Sequence, residues 1–330
     1  MLELAQEHGV KLPTRDLARL TRMLKAGRST RSLKDYLGIF DLTLSVMQER
    51  EALYRVAYEL AEDAAAENVC HLEVRYSPIL HRKRRLVFEE IVDTVIAGLR
   101  DGGSRYGMTT GVIICGIRSM DPRYSLALAE LAVAYKSRGV LAFDLAGQEK
   151  DYPAKAHRAA FELILKNNVN STVHAGGAFV PTSAGAALAY ARAYRIDDGT
   201  LLHADRDLLQ YVNDHRVPLE MCLTSNLQTG AVRNIREHPL GAYFRQGLRV
   251  TVNTDNRLMS DTTVSGEILL AARAFRLSPY EVKRLVINGF KSSFLPYAVK
   301  ARRLREVNLE IDRIFMEEFP DDYDRRLTSY

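Results

Sequence analysis

The sequence is short of cysteine, of long apolar runs and of any excess of one charge, and each shortage excludes something. Three cysteines in 330 residues cannot build a disulfide framework. Cys70, Cys115 and Cys222 lie in apolar stretches such as Val112-Ile113-Ile114-Cys115 and are expected as buried free thiols, which fits a reducing, cytoplasmic location. The longest stretch without Asp, Glu, Lys or Arg, 167–191, contains Asn, Gly and Pro181 and lacks the ~20 continuous apolar residues of a membrane span. Residues 1–8 read as an amphipathic helix, so no signal peptide is expected. Basic residues number 46 and acidic ones 41, and a net charge of +5 on a chain this long does not by itself imply nucleic acid. No Gly-x-Gly-x-x-Gly follows any strand-like run, so a dinucleotide site has little support. No linker or low-complexity segment divides the chain, and 1–330 is expected as a single domain.

What recurs instead is a short apolar, β-branched run followed by a helical pattern. The runs are 71–77, 110–117, 140–146, 169–175, 199–203, 217–223 and 248–254. Several are nearly continuous in Val, Ile and Leu, as parallel strands buried on both faces are. Helical patterns fill the intervals, follow the last run, and occupy most of the ~70 residues before the first. Uninterrupted alternation of this kind predicts an α/β fold of the (β/α) barrel type with extra helices. Such a barrel closes with about eight strands, and seven are legible here.

Function in a barrel sits at the C-terminal strand ends. Those ends read Arg75-Tyr-Ser-Pro78, Cys115-Gly-Ile-Arg-Ser119, Phe143-Asp-Leu-Ala-Gly-Gln-Glu149, Thr172-Val-His-Ala-Gly-Gly177, Leu202-His-Ala204, Cys222-Leu-Thr-Ser-Asn226 and Asn253-Thr-Asp-Asn256. Together with His71-Leu-Glu-Val-Arg-Tyr-Ser-Pro78, the continuation of the sixth end to Gly230, His238-Pro-Leu, and Val252 to Ser260, they resemble the adenosine deaminase family, in order along nearly the whole chain.

The resemblance implies a TIM-type barrel and a divalent metal, usually zinc, that ionises a bound water. In that family a His-x-His on the first strand, the His of His-Ala-Gly-Glu and the Asp of Asn-Thr-Asp hold the metal. The Glu protonates the purine, and a His in Gly-His-Gly orients the attacking water. Here the first strand and its His-x-His are expected to be absent, since the chain starts inside what would be the first helix. Gly177 stands at the Glu position, and Asp197-Asp198-Gly199 at Gly-His-Gly. His174 and Asp255 are the residual ligand positions. Gly147 also matches, where the family's backbone contacts the purine ring.

The expectation drawn from these departures is a repurposed, metal-independent protein without cofactor. It would act on a nucleoside-like or other heterocyclic small molecule, with His174, Asp198 and Asp255 as acid/base candidates. Gly147, Glu149, Gly177 and Asn256 are the expected substrate contacts. Two alternatives stand beside it: an inactive relative that binds a ligand or protein partner, and an ordinary adenosine deaminase whose N-terminal metal ligands are missing from this chain. Blander readings exist for each residue: a core histidine at 174, a loop cap at 255 or 149, an exposed turn at 197–198, a structural strand-end His203. The basic run Arg82, Lys83, Arg84, Arg85 reads as a solvated loop or as a guide for an anionic group. Without a first strand the barrel is expected to be open at that seam, covered by a terminal segment or by a second copy in a homodimer.

Overall fold

A computed structural model describes residues 1–27, 38–177 and 182–320. The part of the N-terminal helical expectation at 28–37 lies outside the described residues. Seven strands, β1 (His71–Tyr76), β2 (Thr109–Ile117), β3 (Val140–Ala146), β4 (Asn170–Ala175), β5 (Arg195–Asp198), β6 (Leu219–Met221) and β7 (Val250–Val252), form one sheet in that order. Every neighbouring pair is parallel, and no pairing joins β1 to β7 among the described residues. The sheet is an open half-barrel, the incomplete (β/α) barrel expected from the sequence. Its interior layer explains the apolar runs. Val112 to Cys115 on β2, and Ala142, Phe143 and Leu145 on β3, are all buried. In a parallel sheet the return helices cover the outer face, so strands buried on both faces, such as β2 and β3, are apolar on both.

One strand is displaced from its expected position. The run 199–203 is not a strand; β5 occupies Arg195–Asp198, and Leu202–Ala204 is a 3₁₀ turn. The apolar signal misleads because β5 is mostly charged. Arg195 and Asp197 are buried, and they are neutralised by partners on other strands. His203 therefore lies beyond the strand, where its Nδ1 is 2.9 Å from the Thr200 carbonyl.

Helices pack closely on the outside. Between Arg50–Ala65 and Phe88–Arg105, a Cβ added at Gly98 would lie 2.5 Å from the Tyr54 carbonyl oxygen and 2.9 Å from Ala57 Cβ. Only glycine allows that approach. The open seam is crossed by the C-terminal third of the chain. Glu67, ahead of β1, pairs with Arg257 beyond β7 at 2.8 Å and accepts from the Ser265 N–H at 2.8 Å. Asn288, on helix Pro279–Ser292, donates to the Val250 carbonyl at 3.1 Å. Phe294 N–H donates to Glu73 at 2.6 Å. These contacts satisfy groups that an edge strand would otherwise leave open. Among the described residues, no helix is long and apolar enough to cross a membrane.

Candidate functional site

The C-terminal ends of β3, β4, β5 and β7 bring His174, Asp197, Asp198, Asp144 and Asp255 to one mouth of the half-barrel. His174, on β4, lies between two carboxylates: its Nδ1 is 3.1 Å from Asp144 Oδ2, and its Nε2 is 3.1 Å from Asp197 Oδ2. Burial works against a charge on the ring, but Asp197 and Asp144 outweigh it and push the pKa up to about 9. Arg75, from β1, reaches the same carboxylates. It pairs with Asp197 and lies 3.6 Å from both Asp144 and Glu220. Asp144 is fully buried. Burial alone would raise its pKa, yet Arg75 and His174 hold it well below the usual carboxylate range.

Asp198 has a different environment. It is half-buried, its backbone sits at φ 71°, and its Oδ1 accepts from Asn226 Nδ2. Burial first, and then repulsion by Asp197, push its pKa up to about 7. Its side chain hangs over Gly177. A Cβ at 177 would lie 2.8 Å from Asp198 Cβ and Cγ, and closer still to Oδ2. Gly177 and Asp198 are therefore one packing unit: a side chain at 177 and this carboxylate cannot occupy the space together. Asp198 is thus part of the mouth and not an exposed turn, while Asp197 is buried beneath it.

Asp255 also has left-handed backbone, φ 52°. Ser225 Oγ donates to its Oδ2 at 2.7 Å and Asn256 Nδ2 to its Oδ1 at 2.6 Å. Asn256 thus orients Asp255. Glu149, expected as a substrate contact, is buried and accepts the Gly176 and Gly177 N–H groups at 3.0 and 3.2 Å. It shapes the turn after β4 from below. Gly147 has φ 102°, a conformation that favours glycine, in the turn after β3.

Two residues that sequence reasoning passed over complete the frame. Arg118 is buried and donates to the His174 carbonyl at 2.6 Å and to that of Tyr152 at 3.0 Å. Arg75 is the other. Its signal was available, as a charged residue in the middle of a barrel strand. Two side chains of the basic run have partners of their own. Arg82 lies over the Phe88 ring at 4.6 Å, and Arg84 pairs with Glu49 at 2.5 Å and donates to the His8 carbonyl at 2.8 Å. The Lys83 backbone N–H donates to Gln48 at 2.8 Å, and Arg85 has φ 68° in the turn. The loop holds the N-terminal helices.

The donor set can be tested against a zinc ion. One imidazole and several carboxylates make a buried surplus of negative charge, and Asp144 Oδ1 is buried without a hydrogen-bond partner. In chemistry His174 and Asp255 fit two positions of a zinc site. They supply two ligands and not a full set, since no group of three or more His, Cys, Asp or Glu that could hold a metal ion occurs among the described residues.

Comparison with known proteins supplies the context. A family model described as adenosine deaminase matches residues 1–309. An adenosine deaminase of Mycobacterium sp. (strain JLS) is 41% identical over 312 residues, 90% of this chain and 86% of that protein. A probable adenosine deaminase of Dictyostelium discoideum is 37% identical over 315 residues; the match takes in 96% of this chain and 41% of that protein's length. Among solved structures, an adenine deaminase from Arthrobacter aurescens is 25% identical with a TM-score of 0.87, covering 94% of this chain and 93% of that one. An amidohydrolase from Burkholderia ambifaria with bound zinc has a TM-score of 0.84 at 20% identity, covering 94% and 86%, which shows a shared fold.

These relatives correct two expectations. The repurposed, metal-independent reading does not stand, and neither does the expectation of no cofactor. Both rested on the expected absence of the His-x-His together with separate losses at 177 and 198. The structure joins those two positions into one local exchange, with the Asp198 carboxylate in the space over Gly177, while identity to adenosine deaminases runs at 37–41% along nine-tenths of the chain or more.

Proposed function

The chain belongs to the adenosine deaminase family, and from that premise we propose that it hydrolyses the 6-amino group of an aminopurine nucleoside, adenosine first, with zinc as cofactor. The observation that carries the reading is the 41% identity to a mycobacterial adenosine deaminase across nine-tenths of this chain. Of the four expected anion guides, Arg82 and Arg84 are engaged by Phe88, Glu49 and the His8 carbonyl.

His174 and Asp255 would supply two of the zinc's ligands, His174 only after giving up the proton that Asp144 and Asp197 hold on its ring. Bound there, zinc supplies a water that is ionised near neutral pH. The remaining work falls to the chain's own groups. Deamination needs a proton delivered to the purine ring and another to the departing amine. Asp198, its pKa pushed up by burial and by Asp197, is placed to carry one at its Oδ2, over Gly177. Gly147 offers backbone to the ring from the turn after β3. Asp255 is kept in place by Ser225 and Asn256, and Glu149 and Arg118 fix the backbone that carries His174 and Gly177.

The test is direct. Purified protein, supplied with zinc and adenosine, is followed for inosine and ammonia, with metal content measured by mass spectrometry. Inosine formation that chelation abolishes and zinc restores supports the reading. A zinc-supplied, folded protein that leaves adenosine intact overturns it.

A further inference from the structure

We propose that His238 and Asn226 are positioning residues, a one-way hydrogen-bond relay that fixes which oxygen of Asp198 is free to carry a proton. The inference rests on the role of Asp198 given above, and it is built from a direction of donation that starts at the backbone. The Leu240 N–H donates to His238 Nδ1 at 3.2 Å. Backbone N–H groups only donate, so Nδ1 is an acceptor, and a neutral ring must then carry its proton on Nε2. His238 is buried, and burial lowers its pKa to about 4, so the ring is neutral at physiological pH.

Nε2 lies 3.1 Å from Asn226 Oδ1 and donates to it. That contact decides the orientation of the Asn226 amide. With Oδ1 turned to His238, Nδ2 faces Asp198 and donates to its Oδ1. Asp198 Oδ1 is therefore an acceptor held by a donor, and a proton on this carboxyl belongs on Oδ2. Oδ2 is the atom over Gly177, on the side left open by the absence of a side chain there. His238 and Asn226 are both nearly fully buried, so water does not compete for either contact. His238 belongs to the turn before helix Leu240–Arg245, and Asn226 to the short helix Leu223–Gln228 after β6. The relay thus ties two sequence segments to the end of β5.

Other titrating groups face Asp198 from the neighbouring elements: Asp197 on its own strand, His174 on β4, Asp255 after β7 and Cys222 after β6. They set the level of its titration. The relay sets the geometry, and a hydrogen bond from Asn226 favours the ionised form.

Three measurements on the full chain test the relay. In the unaltered protein, ¹⁵N shifts of His238 should show the Nε2–H tautomer; the Nδ1–H tautomer overturns the proposal. In Asn226→Leu and His238→Leu, the ¹³C-detected titration of Asp198 should move upward by about one pH unit, the scale of a lost hydrogen bond to a carboxylate. His238→Gln, whose amide can accept from Leu240 and donate to Asn226, should return it. Titration unmoved in both Leu variants, with their melting temperatures showing folded protein, overturns the relay. In turnover of adenosine, Asn226→Leu should lower kcat about 10-fold with KM within about twofold. In an Asp198→Asn background the same change should have no further effect; an equal loss there overturns the relay. Because the tautomer and the titration need no turnover, failure of the relay and failure of the deaminase reading separate cleanly.

Discussion

Arg75→Met is the perturbation that tests the electrostatic account of the barrel interior most sharply. Arg75 is three-quarters buried, pairs with Asp197, and lies 3.6 Å from both Asp144 and Glu220. At an effective dielectric of about 20, each 3.6 Å contact is worth roughly 4–5 kcal/mol of attraction, and desolvation of the guanidinium takes several back. Met keeps most of the stem's volume and removes the charge. Asp144 and Asp197 are then left with His174, and Glu220 with Arg195, as their paired cations. Breaking one side of a buried ion network costs about 3–5 kcal/mol, and that is the expected loss of unfolding free energy in urea at pH 7. The loss should depend on pH in a defined direction. The folded-state pKa of Asp144 lies below its ordinary 3.8, so its stabilising contribution is present above that value and fades as pH falls through and below it. The gap between Arg75→Met and the parent should therefore be full at pH 7 and shrink below about pH 4. A variant within 1 kcal/mol of the parent at neutral pH, or a gap that widens in acid, would refute the reasoning.

Two further outcomes follow from the same structure. Glu73 is held down to about 2, because Arg195 and His71 outweigh a burial penalty that would raise it, so the stability it confers is present above 4.5 and lost between there and 2. Glu73→Gln should flatten that acid limb by about 3 kcal/mol, and an unchanged limb in urea melts at stepped pH would contradict the assignment. Gly98→Ala gains about 1 kcal/mol in helix propensity but forces a Cβ onto the Tyr54 carbonyl. A net destabilisation of about 1–3 kcal/mol is expected from overpacking, and a melting temperature above the parent's would show that the two helices separate at little cost.

Much of the architecture was legible because its signal is local. Apolar runs marked β2 and β3 most clearly, since a strand buried on both faces must be apolar along its length, and motif and alternation marked β1, β4, β6 and β7. β5 was missed for the same reason in reverse. Arg195, Asp197 and Asp198 are affordable in a barrel interior only through partners on β1, β4 and β6, or in the loop and helix beyond β6, and nothing local announces those partners. The site shows the same division. Motif position put His174 and Asp255 at the mouth, and polar strand ends put Gly147 and Glu149 near it. What the residues do there was decided by contacts distant along the chain. Glu149 proved to hold a backbone turn, and Arg84 to tie its loop to the N-terminal helices.

By itself the sequence determined the alternation of strand and helix, the barrel class and the family, and it named His174 and Asp255 as candidate ligands. All of these are written in periodicity and in short motifs. Only the tertiary structure decided that Gly177 and Asp198 are one exchange, that Arg75 and His174 share Asp197 and Asp144, and that His238 reaches Asp198 through Asn226. The physical reason is common to all three. Electrostatics and steric exclusion act through distances of 3–4 Å, and residues 12, 28 or 122 positions apart in the chain come that close only when the sheet has curled.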